Sequence, residues 1–373
     1  MSTSDESTTS TVGMVIQHTT QYLCRIYAPI LDDTIDFNAL PKSIQDYNDS
    51  TCVAFFRFRK EELQLVADLL WLRIAVHLVG NRQSIACTNR YSIPYETGLL
   101  IVLFRLSRPN RIRPEMERFF NMRKSKLSAI IDTFLNALYE LSLLYLDNPA
   151  IFRHRWGILA EMVRQKSNNA VSGVWGFIDG TLRETCRPSR FQRLAYSGHK
   201  RYHGIKFQSV VMPDGLIAML YGPIAGSRHD SFLLGQSDLL TKLRQCIPID
   251  PINDIPLYQL YGDPAYPQSG ILFGGFRNPR EGSPEAAWNT QMSRVREAVE
   301  WLFKEIIVQW SFLDFRQSMK IFLSPVGKYY VVGAFFTNLR CCIYGSQTSD
   351  YFGSNNSIHR LDMQGYLNLI PLE

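Results

Sequence analysis

Hydrophobic residues recur at three- and four-residue spacing along much of the first half of the chain. The spacing predicts a helix that begins at about Arg59, followed by a polar loop over residues 80–92. Three further helices are predicted in close order: one that begins at Pro94, a short one over 114–121, and a long one over 124–144. This succession is typical of a helical bundle and also of a helix-turn-helix, and the pattern alone leaves both open.

After Asn148 the pattern changes to short apolar runs that alternate with helical segments. A helix over about 151–166 precedes a strand at 174–179, and residues 204–212 and 216–226 predict a β-hairpin. The remaining predicted elements are a helix, a strand, a loop rich in Gly and Pro, and a long helix, at 229–245, 256–263, 264–285 and 286–309 respectively. This order indicates a mixed α/β domain with a central sheet.

Composition excludes several classes of protein. The chain has 373 residues, of which 46% are hydrophobic and 20% charged, so it can form a large core and is not disordered throughout. Its seven cysteines form no CxxC pair, which favours a reducing compartment without a disulfide framework or a zinc ribbon. The first 13 residues, predicted to be disordered, lack the pattern of a secretory signal. The apolar stretch 63–79 is interrupted by charge, so no membrane segment is expected.

The net charge of +6 is unevenly distributed. Residues 1–50 carry −5, whereas residues 105–126 and residues 182–206 carry +6 each. Two basic clusters of this kind are typical of a protein that binds a polyanion, although two solvated loops would give the same counts. If the helices at 95–142 form a helix-turn-helix, the base contacts would come from three side chains at the start of its third helix: Arg123, Lys124 and Lys126.

Three acidic residues lie where a metal site would need them. Asp179 and Asp263 each close an apolar strand, and Glu300 lies on a helix among apolar neighbours, where burying a lone acid is costly. Oxygen ligands suit Mg²⁺ or Mn²⁺, and two such ions would assist cleavage of a phosphodiester. Each acid also has a structural interpretation: the aspartates as turn or cap residues, and Glu300 as a partner of Lys304, with Glu297 as the alternative carboxylate.

Six motifs in order give a specific resemblance. The sequence resembles the Harbinger-type (PIF/Harbinger) transposases, whose nuclease domain belongs to the DDE Tnp4 superfamily, and residues 95–142 resemble the helix-turn-helix that accompanies it. The matching motifs are GFIDGT (176–181), YSGHKRYHGIK (196–206), VVMPDGLI (210–217), GSRHDSFLL (226–234), YGDPAY (261–266) and RVREAVEWLFKEI (294–306). One departure is Thr337-Asn338-Leu339, where the family often has Leu-His-Asn.

The resemblance implies an RNase H-like nuclease domain with a catalytic triad and two Mg²⁺ (or Mn²⁺) ions. Carried over by motif, the triad is Asp179, Asp263 and Glu300, and Glu300 is preferred to Glu297 because the family acid lies three residues before a Phe, here Phe303. Asp230 also matches a family acid and is either an additional metal ligand or the N-cap of its helix. These assignments imply cleavage of DNA at element ends and joining of those ends to target DNA.

The implied organisation follows from these matches. The chain divides into a variable, partly disordered segment (1–50), a helical domain (51–148), a DDE nuclease domain (149–345) and a C-terminal tail (346–373). The expected partners are double-stranded DNA, a Myb-like accessory protein and a second copy of the chain, in the nucleus and away from membranes. Phosphate contacts are expected from five residues that follow the first catalytic strand: Arg187, Arg190, Arg193, Lys200 and Arg201. Alternatives are a domesticated DNA-binding protein without catalysis and a scaffold without a nucleic-acid role.

Overall fold

The computed structural model describes residues 36, 42–109, 112–169, 171–264, 266–314, 319–354 and 360–372. The predicted disorder of residues 1–13 lies outside this part of the chain. A mixed β-sheet lies at the centre of the second half, and helices surround it. This arrangement confirms the mixed α/β prediction and is consistent with a DDE nuclease fold.

The N-terminal helices form where the helical spacing of apolar residues is regular. Helix α1 (Asp49–Phe56) begins after Asn48, whose side chain accepts a hydrogen bond from the Thr51 N–H at 2.8 Å. Helices α2 (Lys60–Ile74) and α3 (Tyr95–Ser107) follow. Short 3₁₀ turns flank these helices at Ile44–Asp46 and Ala75–His77.

The segment between α2 and α3 was predicted to be a loop, and this prediction is wrong. It contains a small antiparallel sheet of three short strands, in which Ile85 of the middle strand is buried. Such short strands are difficult to predict in a mostly polar run, because only a few of their side chains are buried. The strands are β1 (Gly80–Asn81), β2 (Ser84–Ala86) and β3 (Ser92–Ile93), with a 3₁₀ turn at Thr88–Arg90.

The predicted short and long helices are both present. A π-helical turn at Ile112–Met116 leads into α4 (Glu117–Phe120), and α5 (Lys124–Leu146) follows after a left-handed Asn121. By length and hydropathy α5 could cross a membrane, yet more than half of its most apolar window is buried inside the protein. It packs against α3 and against elements of the second half, which is the environment of a core helix.

The central sheet combines antiparallel and parallel pairs. Its strands are β4 (Val174–Glu184), β5 (Tyr196–Ser197), β6 (Tyr202–Val211), β7 (Ile217–Ala225), β8 (Gln259–Gly262) and β9 (Leu272–Phe273). The strand order is β7-β6-β4-β8-β9: β6 is antiparallel to both β7 and β4, whereas β8 and β9 continue parallel to β4. Strand β5 pairs with the first residues of β6.

Comparison with the predicted elements confirms the hairpin and corrects three other regions. The first strand extends past its predicted end at Asp179 to Glu184, and β9 lies inside the predicted loop 264–285. The helix predicted at 229–245 is divided in two, because Asp238 adopts a left-handed backbone with φ 51°.

The helices of this half are α6 (Trp156–Lys166, after a 3₁₀ turn at Pro149–Arg155), α7 (Gln192–Ala195), α8 (Asp230–Gln236), α9 (Leu239–Arg244), α10 (Pro284–Gln309, followed by a 3₁₀ turn at Ser311–Leu313), α11 (Val326–Tyr344), α12 (Gln347–Tyr351) and α13 (Met363–Leu367).

One continuous hydrophobic core includes residues of both halves of the chain. Helix α11 packs against α5 on one side and contacts β7 on another. The buried Asn338 of α11 accepts a hydrogen bond from the Ile217 N–H at 2.8 Å and returns one to the Ile217 carbonyl at 3.0 Å. These bonds satisfy backbone groups at the start of β7, so the departure at 337–339 has a structural role.

Candidate functional site

The two candidate aspartates lie side by side because their strands are parallel neighbours. Ile178 of β4 is in register with Gly262, the last residue of β8, so Asp179 and Asp263 follow directly on adjacent strands. The Gly180 N–H donates a hydrogen bond to Asp179 Oδ1 at 2.8 Å. Strand β4 continues past this point whereas β8 ends at Gly262, so Asp263 lies just beyond the carboxyl end of β8.

Helix α10 brings the third acid and a cation to the same place. Arg296 lies one turn before Glu300, and its guanidinium is 3.9 Å from Glu300 Oε1. The same guanidinium is 3.4 Å from Asp179 Oδ2 and 3.9 Å from Asp263 Oδ2. All three predicted acids therefore surround one arginine, which the sequence analysis did not identify. The usable signal was its position four residues before Glu300, on the same helix face.

Burial of the acids differs from the sequence expectation. Glu300 was expected to be buried among apolar neighbours, but its side chain is 60% exposed, whereas Asp179 is only 18% exposed. Arg296, rather than the predicted Lys304, is the base that lies beside Glu300. Glu297 is exposed and takes no part in the ion pairs described for this cluster.

Asp230 lies beside the triad but does not cap its helix. It is the first residue of α8, whose N-cap is His229, and no side-chain cap bond is present, so the N-cap alternative is wrong. Instead, Asp230 Oδ1 is 2.8 Å from Nζ of Lys206 on β6. The carboxylate also approaches β4 closely: a Cβ atom at Gly180 would lie 2.2 Å from Asp230 Oδ1. Glycine at 180 is therefore required for this approach.

Tyr266 is a second residue that the sequence analysis missed. It is buried, and its hydroxyl accepts a hydrogen bond from Gln208 Nε2 at 3.2 Å. Burial raises the pKa of Tyr266, and the nearby carboxylates of Asp230, Asp179 and Asp263 raise it further. The hydroxyl thus stays protonated beside the acids. Its place at the end of the YGDPAY motif, three residues after Asp263, was the available signal.

Burial also controls the charge of Asp179. Desolvation raises the pKa of Asp179 to about 6, although Arg296 and the Gly180 N–H favour its ionised form, and the neighbouring acids Asp230 and Glu300 add to the rise. The Arg296 guanidinium therefore does not offset the cost of burying the Asp179 carboxylate.

The raised pKa of Asp179 predicts how stability depends on pH without divalent cations. Between the unfolded value near 4 and the folded value of about 6, the folded state binds more protons, so this group's contribution to stability falls as pH rises. Asp179→Asn removes that loss. We expect urea unfolding in EDTA to show the variant gaining about 2 kcal/mol relative to wild type between about pH 4.5 and 7.5. Parallel stability curves for the two proteins would contradict this assignment.

The donor chemistry fits a hard divalent cation. Asp179, Asp263 and Glu300 offer only oxygen atoms, the ligands that Mg²⁺ and Mn²⁺ prefer, and the space among them already accepts a positive group. Within the described residues, no three His, Cys, Asp or Glu side chains are close enough together to share an ion. Arg296 lies between the carboxylates instead.

The predicted DNA-contacting residues form two exposed groups. Arg123 and Lys124 are exposed at the start of α5 and Lys126 is half-buried there; Lys124 lines a cleft of about 890 Å³ with Arg105 and Lys320. The second group is wholly exposed and lies on the chain that connects β4 to β6: Arg187, Arg190, Arg193, Lys200 and Arg201. Both groups are accessible to a large ligand.

Comparison with known families agrees with this geometry. Residues 178–338 match the model for the DDE superfamily endonuclease. The match begins one residue before Asp179 and includes Asp230, Asp263 and Glu300. It indicates a DDE endonuclease domain and with it an enzyme of the nuclease or transposase class. Comparison with curated proteins and with solved structures finds no match.

Proposed function

We propose that this protein is a divalent-metal-dependent DNA endonuclease of the transposase type, with an RNase H-like nuclease domain, that cleaves phosphodiester bonds at element ends and joins those ends to target DNA. The observation that carries the proposal is the convergence of Asp179, Asp263 and Glu300, from two strands and a helix, on one cationic centre. The family match over the same residues supports it.

In this proposal the acidic residues would bind the metal ions. Asp179, Asp263 and Glu300 would hold two Mg²⁺ or Mn²⁺ ions, with Asp230 as a further candidate ligand that Lys206 positions. Such ions, when bound, supply Lewis-acid activation of the attacking water and stabilisation of the leaving oxygen.

The proposed partner is double-stranded DNA, bound through the two exposed basic groups, with the helices of residues 95–142 acting as a helix-turn-helix. We further propose a Harbinger-type lineage, nuclear localisation, a homodimer that holds two ends, and a Myb-like accessory protein. The sequence motifs support the Harbinger-type lineage, and the two +6 windows support DNA binding.

A nicking assay tests the proposal. Purified wild-type protein is incubated with duplex DNA carrying the element's own ends, in Mg²⁺, in Mn²⁺ and in EDTA, beside Asp263→Ala. We expect nicks in either metal with wild type, and none in EDTA or with the variant. If wild-type protein binds the DNA and never cleaves it in either metal, the alternative of a domesticated DNA-binding protein replaces this proposal.

Arg296 gives a second test, because it holds the carboxylates when no metal is bound. Without divalent cations, Arg296→Ala leaves three acids facing one another, so we expect its unfolding midpoint to fall by a few degrees. Mn²⁺ should then raise the midpoint of the variant more than that of wild type, since no internal cation competes. The exposed Arg277→Ala is the matched control, and equal Mn²⁺ shifts in all three proteins would refute the role given to Arg296.

A further inference from the structure

Two exposed phenylalanine rings lie beside each other, next to the second basic group. Phe191 is 65% exposed and Phe322 is 63% exposed, and their ring centroids are 5.9 Å apart at a tilt of 58°. They border a groove of about 250 Å³ whose lining is apolar apart from Arg190. Small-molecule sites usually exceed about 300 Å³, so the groove suits a single flat ring better than a whole cofactor.

The backbone at both rings is unusual. Phe191 has φ 56° and Phe322 has φ 73°, in the left-handed region that bulky side chains rarely adopt. Two separate loops therefore hold the same residue type in the same disfavoured conformation at one place. Strained positions of this kind concentrate at binding sites, where the surrounding structure holds them in place.

The charges around the rings are of one sign. Arg187, Arg190 and Arg193 are exposed on the same segment as Phe191, and none of the residues that line the groove is acidic. Residues 320–324 connect this groove with the cleft at α5: Ile321 and Phe322 line the groove, while Lys320, Leu323 and Ser324 line the cleft. A polyanion could thus follow a continuous path past both basic groups.

The same surface lies close to the carboxylates. The Ser227 N–H donates a hydrogen bond to the Leu194 carbonyl at 3.1 Å, which joins the segment of Phe191 to the loop before α8. Asp230 is three residues further along that loop, a span of at most about 11 Å. A DNA strand that binds on the two phenylalanine rings therefore passes near the carboxylate site.

We propose that this aromatic-basic surface, formed by Phe191, Phe322, Arg187, Arg190 and Arg193, stacks unpaired bases of a DNA strand at or next to the cleavage site. The inference rests on the proposed function and adds the form of DNA that the site takes. Exposed rings cannot stack on the bases of an intact duplex, because the faces of those bases are already stacked on one another. Stacking on unpaired bases contributes about tenfold in affinity per base or more, with little preference for sequence.

A protein partner would also cover an apolar groove, but the surrounding charge favours DNA. The five exposed cations of this segment suit a phosphate backbone, and the groove accommodates one ring rather than an extended apolar peptide.

The test measures binding of the full chain to two DNAs by fluorescence anisotropy in EDTA. One is a blunt duplex, and the other is the same duplex with a short unpaired thymidine tail. We expect wild type to prefer the tailed DNA. Phe191→Ala and Phe322→Ala should each lose about tenfold in affinity for tailed DNA, with less than about twofold change on blunt duplex and an unchanged salt slope. Arg190→Ala should weaken binding to both DNAs and lower the salt slope by about one.

Two controls separate stacking from other effects. Ile252 is 89% exposed and lines neither the groove nor the cleft, so Ile252→Ser should leave tailed-DNA affinity unchanged, while Phe191→Tyr should keep the preference. A photoreactive 5-iodouracil in the tail should crosslink to Phe191 or Phe322. Unfolding midpoints equal to wild type exclude misfolding of the variants.

Several results would overturn the inference. One is an equal loss of affinity for both DNAs in the phenylalanine variants, and another is no loss of affinity for either DNA. A third is that Phe191→Ala abolishes self-association of the protein and leaves DNA binding unchanged. Because no metal is present, failure of cleavage does not affect this readout. Cleavage without a preference for tailed DNA removes this inference alone, whereas no binding to any DNA at low salt removes the proposed function as well.

Discussion

Glu300→Gln is expected to reduce metal-dependent cleavage at least about a thousandfold, whereas Glu297→Gln, one turn earlier on the same helix, should cleave within about threefold of wild type. Glu300 joins Asp179 and Asp263 around Arg296, and removing its charge weakens the negative cluster that would hold the ions. Glu297 is exposed and outside the described contacts of that cluster. Single-turnover nicking in Mn²⁺ measures both rates.

The pair of variants is informative because both remove one carboxylate from α10. Affinity for DNA in EDTA should be equal in the two, since each reduces the negative charge by one near the same surface. If Glu297→Gln is inactive and Glu300→Gln is active, the triad must be reassigned to the earlier residue. If both are fully active, neither Glu297 nor Glu300 is catalytic.

Asp214→Ala is expected to destabilise the protein by about 3–5 kcal/mol. Asp214 lies in the turn between β6 and β7, where it pairs with Arg155 and accepts a hydrogen bond from the Leu216 N–H at 3.1 Å. Both members of the pair are buried. Removing the carboxylate breaks a buried ion pair, which costs far more than the loss of an exposed pair. Urea unfolding at neutral pH measures the change.

The matched control is Glu161, which pairs with Arg164 on the surface of α6. Solvent screens such a pair, so Glu161→Ala should leave the urea midpoint unchanged within error. A partial recovery is expected when Arg155→Met is added to Asp214→Ala, because the buried guanidinium charge is then gone as well. Equal destabilisation by Asp214→Ala and Glu161→Ala would show that burial does not control the strength of the Arg155–Asp214 pair.

Much of the fold could be predicted from the sequence because local periodicity determines local structure. The long helices and the β-hairpin appear close to their predicted bounds, since each has a regular apolar face. Prediction failed where few residues decide the outcome. The strand Leu272–Phe273 is too short to have a period, and one left-handed residue, Asp238, divides a helix that the apolar pattern continues.

The candidate site was partly predictable for a similar reason. Motifs identify Asp179, Asp263 and Glu300, and strand ends place the two aspartates together. Arg296 and Tyr266 were missed, because a base among acids and a buried hydroxyl acquire their roles only from neighbours distant in sequence. Asp230 shows the same limit: its position at a helix start suggested a cap, but its partner Lys206 lies on another element.

The sequence by itself determined the mixed α/β class, the two basic clusters, the two aspartates at strand ends and the glutamate on a helix face. These properties depend on residue type and local spacing, which the chain carries in any conformation. Only the tertiary structure decided that one guanidinium lies among all three acids, that Asp179 rather than Glu300 is buried, and that two distant phenylalanines meet beside the arginines. Such facts depend on long-range packing, because burial and electrostatic coupling exist only once the elements have assembled.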